Sequence, residues 1–213
     1  MRHPSEPGFL VLHTLRCIGV AGESRLARAS GLSPIETRAR LARLSDGGLV
    51  RLDPGPFGGW ALTDHGLATA REQVQAELES AGSRDRVHKG FDSVLALNPT
   101  LLEICTAWQM RTVGRQPILN DHKDADYDAS VISRLMRIDE SAQRLCDELS
   151  VSLTRFGHYG LRLTEALDRV LAGEGAYFAD DLESYHTVWF QLHEDLLTTL
   201  GLSRGGDAWE ASR

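Results

Sequence analysis

The chain has 213 residues, of which 42% are hydrophobic and 25% charged, the balance of an ordinary globular protein and not of a disordered or fibrous one. A net charge of −7 excludes a general nucleic-acid coat, and three widely spaced cysteines, Cys17, Cys105 and Cys146, exclude both a disulfide framework and a CxxC metal knuckle. The opening MRHPSEPG lacks the apolar core of a secretory signal and no apolar run is long enough to span a bilayer, so a cytoplasmic protein is expected.

In chain order, Phe9 to Ile18 predicts a first helix that packs Phe9, Leu12 and Leu15 or Ile18 inward. A second helix ends at Gly31, a residue suited to the left-handed backbone that closes a helix. Ser33-Pro34-Ile35-Glu36 then reads as a helix start: Ser33 caps, Pro34 takes the first helical position and Glu36 completes a capping box. Thr37, Leu41 and Leu44 recur at helical spacing and face a core, and Gly47-Gly48 ends the helix. Leu49 to Leu52 reads as a strand, Asp53 to Gly59 as a turn and Trp60 to Leu62 as the returning strand.

Helix, turn, helix and hairpin in one short run is the plan of a DNA-reading module. The frame Leu26-Ala27, Gly31-Leu32-Ser33, Thr37, Leu41, Arg43-Leu44, Gly48-Leu49-Val50 and Leu62-Thr63 resembles the winged helix-turn-helix of bacterial transcriptional regulators of the MarR and GntR kind. The resemblance covers about the first third of the chain and implies a DNA-binding head. The wing tip, Pro54 to Gly59, has no Lys or Arg, which leaves Arg51 as the basic residue of the wing.

After the wing, Thr63 caps a linker helix, about 64 to 81, that ends at Ala81-Gly82-Ser83. Ser83 starts the next segment, and Asn98-Pro99 reads as a cap and first turn opening a helix to Met110. Thr112 to Asp124 reads as a loop. The clearest period in the chain follows: Val131, Leu135, Ile138, Ala142, Leu145 and Leu149 step by four and three, a seam against a partner helix within the chain or across a dimer. Further helices are expected from His158 to Ala172 and from Asp180 or Asp181 to Gly201, with a loose polar tail from Ser203. The fold class is therefore mainly α: a winged helix-turn-helix with a small β-wing over residues 1–70, and an all-α helical domain over 71–213. Segments 120–135 and 184–201 are also similar to a helical domain of actinobacterial proteins related to pyruvate phosphate dikinase, a resemblance that assigns no site residue.

Charge supports this division. Residues 1–70 hold eight Arg and no Lys against six acids, a net +2, whereas residues 71–213 hold 15 basic against 24 acidic residues, a net −9. A mildly basic head on an acidic body suits a protein that docks only its head on DNA. At about 100° per residue, the helix that places Thr37, Leu41 and Leu44 inward turns Ile35, Ala39 and Ala42 outward, flanked by Arg38 and Arg43. An Arg fork pairs with guanine, and Ile or Ala meets a thymine methyl. Ser33, Ile35, Arg38, Ala39, Arg40, Arg43 and Arg51 are the candidate DNA-binding residues, Arg40 as a phosphate contact. The bland reading of the same arginines is a solvated helix surface.

In the body, Asp124, Asp126 and Asp128 imitate a calcium loop, but Ala129 and Leu135 stand where its Gly and Glu belong, so capping of a helix is the reading and no metal is expected. His186 and His193 lie about 10 Å apart along a helix, too far to share one ion. No phosphate loop, nucleophile elbow or zinc motif is present, so neither a catalytic residue nor a cofactor is expected. Trp108, Met110, His158, Tyr159, Tyr185, His186, Trp189 and His193 could line a ligand pocket, or could be core residues satisfied by backbone partners. The expectation is a ligand-responsive homodimeric regulator that binds double-stranded DNA and a small-molecule effector and has no membrane partner. The alternative is an interaction adaptor whose head and acidic body dock a partner enzyme.

Overall fold

The computed structural model describes residues 3–55 and 58–202. The wing-tip residues 56–57 and the tail from 203 onward, expected to be a turn and a loose end, lie outside the described residues. Among those described, the chain is mainly helical, with nine helices and two antiparallel two-stranded hairpins.

The first part comprises α1 (Pro7–Ile18), α2 (Glu23–Ser30), α3 (Pro34–Asp46), β1 (Val50–Asp53) and β2 (Gly59–Leu62). Helix α1 starts at Pro7, two residues before the apolar period, because Glu6 caps it by accepting a hydrogen bond from Phe9 N at 2.9 Å. Gly31 closes α2 at φ 73°, ψ 13°, and Ser33 Oγ caps α3 by accepting from Glu36 N at 3.2 Å. The Glu36 carboxylate lies 3.6 Å from Arg40, four residues along the helix. Strands β1 and β2 pair from Val50 opposite Leu62 to Asp53 opposite Gly59, and Ala21 adds a bridge to Trp60. Gly66 is needed where the chain leaves the hairpin: a Cβ there would lie 1.9 Å from the Leu49 carbonyl oxygen. Val11, Leu12, Leu15, Leu26, Leu41, Val50 and Ala70 form the core of this part.

Helix α4 (Asp64–Ser80), capped by Thr63, leads into the second part: α5 (Arg84–Gln109), β3 (Met110–Val113), β4 (Gln116–Leu119), α6 (Ala125–Ser150), α7 (Phe156–Leu171), α8 (Ala176–Ala179) and α9 (Tyr185–Leu200). A second, larger core runs from Leu78 to Leu200. The long helices α5, α6, α7 and α9 pack around it.

Three local expectations are corrected. Asn98-Pro99 does not open a helix; Pro99 sits inside the 26-residue α5. Val87, Phe91 and Val94 before it and Leu101, Ile104 and Trp108 after it are buried on one continuous face, and that burial outweighs the lost proline N–H. The loop from Thr112 contains the β3–β4 hairpin, turned by Gly114 at φ 67°; β4 is exposed throughout and so carries no alternating pattern to betray it. The last helix begins at Tyr185, capped by Ser184, with the short α8 preceding it. The seam of α6 is resolved within the chain: Val131, Leu135, Ile138, Ala142, Leu145 and Leu149 are all buried in the second core, so they are not left for a second copy. No helix among the described residues is long and apolar enough to cross a membrane.

Candidate nucleic-acid interface and the clamp behind it

Helix α3 is fixed from its inner side. Thr37 and Leu41 are fully buried and Leu44 is half-buried against the first core. The opposite side is open: Ile35 is 84% exposed, and Arg38, Ala39, Ala42 and Arg43 are exposed beside it. A large aliphatic side chain held that far out gains nothing from folding. Arg38 Nε lies 3.0 Å from Glu23, Arg40 within 3.7 Å of Glu6 and 3.6 Å of Glu36, and Arg51 pairs with Asp53. Arg43 has no carboxylate partner among the described residues. Such surface pairs contribute about 0–1 kcal/mol each, so a phosphate or a base edge can replace the carboxylate at small cost. Ser33 Oγ is occupied as the α3 cap.

Behind this face lies a buried polar cluster that joins the two parts. Its hub is Arg155, just before α7. Nη1 donates to Glu77 of α4 at 2.6 Å, and Nη2 donates to Asp195 of α9 at 3.1 Å and to Thr199 at 2.6 Å. The guanidinium also lies over the Phe156 ring at 4.5 Å and the Phe9 ring at 5.9 Å. Asp195 Oδ1 further accepts from His13 Nε2 of α1 at 2.9 Å and from Thr199 Oγ1 at 2.9 Å, while Oδ2 accepts from Tyr159 at 3.0 Å. Ser5 donates to the other Glu77 oxygen. Burial alone would push the Asp195 carboxyl up, but Arg155 and His13 outweigh it and hold the group well below the usual carboxylate range. Burial and the nearby Asp195 push the Tyr159 phenol and the Cys17 thiol well up, so both stay protonated and neither is a nucleophile.

His13, Cys17 and Asp195 bring ligand atoms within 4.8 Å of one another. The Asp195 oxygen nearest His13 is already saturated by hydrogen bonds, and a cation there would have to compete with Arg155. The cluster is a structural clamp. Sequence reading missed it because its members are scattered from His13 to Thr199 with no shared spacing. The one available sign was that Asp195 stands three residues after Leu192 and four before Thr199, on the inward side of α9.

A second contact reaches the turn before α3 itself. His158 Nε2 donates to the Arg28 carbonyl at 2.6 Å, and its ring packs so closely under Gly31 that a Cβ there would lie 3.2 Å away. Burial lowers the His158 pKa. Arg28 pairs with Glu165 of α7 at 3.1 Å.

The candidate ligand residues do not converge on one cavity. Tyr159 and His158 belong to the contacts just described. Tyr185 donates to Asp139 at 3.0 Å, Trp189 Nε1 donates to Asn98 at 3.2 Å, and the His193 ring stacks on Phe91 at 5.7 Å. His186 is half-buried on α9, and Met110 half-buried at the end of α5. Trp108 stacks on Phe178 at 4.4 Å and borders an open cleft with His122 and Asp128. A wide apolar helix face needs polar tips that reach partners, and these mostly find them within the chain. No protein-family model matches the chain, and no curated protein and no solved structure matches it either.

Proposed function

We propose that the chain is a sequence-specific DNA-binding transcriptional regulator acting in the cytoplasm, with α1 to β2 as a winged helix-turn-helix head and α3 as its reading helix. The observation that carries this reading is the outward strip of Ile35, Ala39 and Ala42 flanked by Arg38 and Arg43, on a helix whose inner side is locked by Thr37 and Leu41. Arginine forks discriminate guanine, and apolar side chains meet thymine methyls in the major groove. Arg40 and Arg51 take phosphates, which set position without reading sequence. The body works as a ligand-responsive homodimer, and half-sites one helical turn apart match its two-fold axis. The buried clamp at Arg155 and the contact of His158 with the turn before α3 support this reading, because both link the body directly to the head.

The test is a binding titration on an operator selected from random DNA. Arg38→Ala and Arg43→Ala are each expected to weaken specific binding by about 1–3 kcal/mol. Affinity should also fall steeply with salt. Binding that is absent, or equal on every sequence, overturns the reading and leaves a protein-docking adaptor in its place.

A further inference from the structure

The junction between α4 and α5 holds an unsatisfied polar group. Helix α5 is 26 residues long, yet no side chain caps its N-terminus. The residue in the cap position is Ser83, a good capping type, only 4% exposed, and its hydroxyl is buried without a hydrogen-bond partner. A buried hydroxyl without a partner, at a helix end that no side chain caps, carries a cost.

Ser83 lines a hollow of about 360 Å³ together with Gly82, Asp85, Arg86, Lys89 and Ser152. Arg86 is steadied there by a 2.6 Å bond to Ser152 Oγ. Neither Arg86 nor Lys89 pairs with a carboxylate among the described residues. A second hollow of about 370 Å³ adjoins it, sharing Arg86 and Lys89, and its walls are mostly apolar: Gly90, Leu145, Leu149 and Val151. Gly90 keeps this floor low, since a Cβ would meet Leu149 at 2.6 Å. Val151 is 46% exposed on its rim.

We infer that this groove is a binding site for an amphiphilic carboxylate, with the charged head at the α5 N-terminus and the apolar tail against Val151 and the Lys89 stem, over the buried floor of Leu145 and Leu149. The head receives the helix N–H groups, the Ser83 hydroxyl and the Arg86 and Lys89 cations, and helix N-termini favour anions. Asp85 and Glu148 also border the two hollows and oppose a second negative charge, so a monoanion fits better than a phosphate. The site is independent of the DNA reading. It stands at the point where α4, which carries Glu77 of the clamp, joins the body.

Calorimetric titration of the full chain, without DNA, tests it. Octanoate is the probe, with octanol and octylamine as matched neutral and cationic controls. Octanoate is expected to bind about tenfold tighter than either control, the difference of one charge-assisted contact. Lys89→Met, on an exposed side chain, should reduce octanoate affinity several-fold, and Ser83→Ala about three- to tenfold. Ser93→Trp, on the exposed rim of the apolar hollow, should abolish binding with the fold intact by circular dichroism. Equal affinity for the three probes, no octanoate binding at millimolar concentration, or binding indifferent to both Lys89→Met and Ser93→Trp overturns the site.

Discussion

Thr37 shows how a single atom can cost stability. The residue is completely buried on the inner face of α3, and its hydroxyl has no partner. Valine has nearly the same shape without the oxygen. Thr37→Val is therefore expected to stabilise the chain by about 1–2 kcal/mol, the usual cost of an unpaired buried hydroxyl. A urea midpoint that is unchanged or lower would mean the hydroxyl is paired in solution. Asp195 is the opposite case, a buried charge fully supplied with donors. Its carboxyl titrates well below that of an unfolded aspartate, near 3.9. The folded chain thus binds fewer protons than the unfolded one as pH falls below about 5, and the stability from this group, complete above that range, is lost towards acid. Urea unfolding from pH 6 down to about 3 should show a steep loss in the native chain and a lower but flatter curve for Asp195→Asn. Parallel curves would place the acid sensitivity elsewhere.

Among the elements, α5 tests how burial competes with local preference. Pro99 is exposed, midway along a helix that is otherwise buried on one face. It removes one backbone bond and crowds the preceding turn, so Pro99→Ala should stabilise the chain by about 1–3 kcal/mol, read from thermal or urea unfolding. A loss of stability would show that the proline bends α5 to a shape its neighbours require. Helix α3 is the contrasting element. Ser33, Pro34, Thr37, Leu41 and Gly48 are local signals, each acting within a turn or two, and the helix runs where they direct it. The outward exposure of Ile35, Ala39 and Ala42 follows from the same spacing. The β3–β4 hairpin was not legible because every β4 residue is exposed, and the passage of α5 through Pro99 was not because the proline signals a helix start that the continuous apolar face from Val87 to Trp108 overrides.

Across the whole molecule, the two cores are joined by buried charge, not by a continuous apolar layer. Removing one member of such a cluster costs more than forming the whole cluster contributes, because partners are left charged and dry. That makes the clamp specific in geometry, and it ties α1 and α4 to α9 in one arrangement. The α6 seam is used up inside the body, so a dimer must form through another surface. Leu161 on α7, an apolar side chain 71% exposed, is one place to probe for it. Light scattering at micromolar concentration should report about twice the chain mass. Leu161→Glu should then shift it towards one chain. A monomer both free and on DNA would remove the two-fold half-site from the proposal.

Local signals specify the caps at Ser33 and Thr63, the helix ends at Gly31 and Gly48, and the inward faces of α3 and α6, because these depend on residues within a few positions of one another, and composition specifies the basic head and the acidic body. Packing in three dimensions makes the α6 seam internal and separates Tyr185, Trp189 and His193 into different contacts. It alone brought His13, Glu77, Arg155 and Asp195 together, and it alone left Ser83 buried at an uncapped helix end. The reason is physical. Periodicity says which side of a helix is buried but not against what, and the partners of a buried charge are chosen by the packing of helices far apart in the chain.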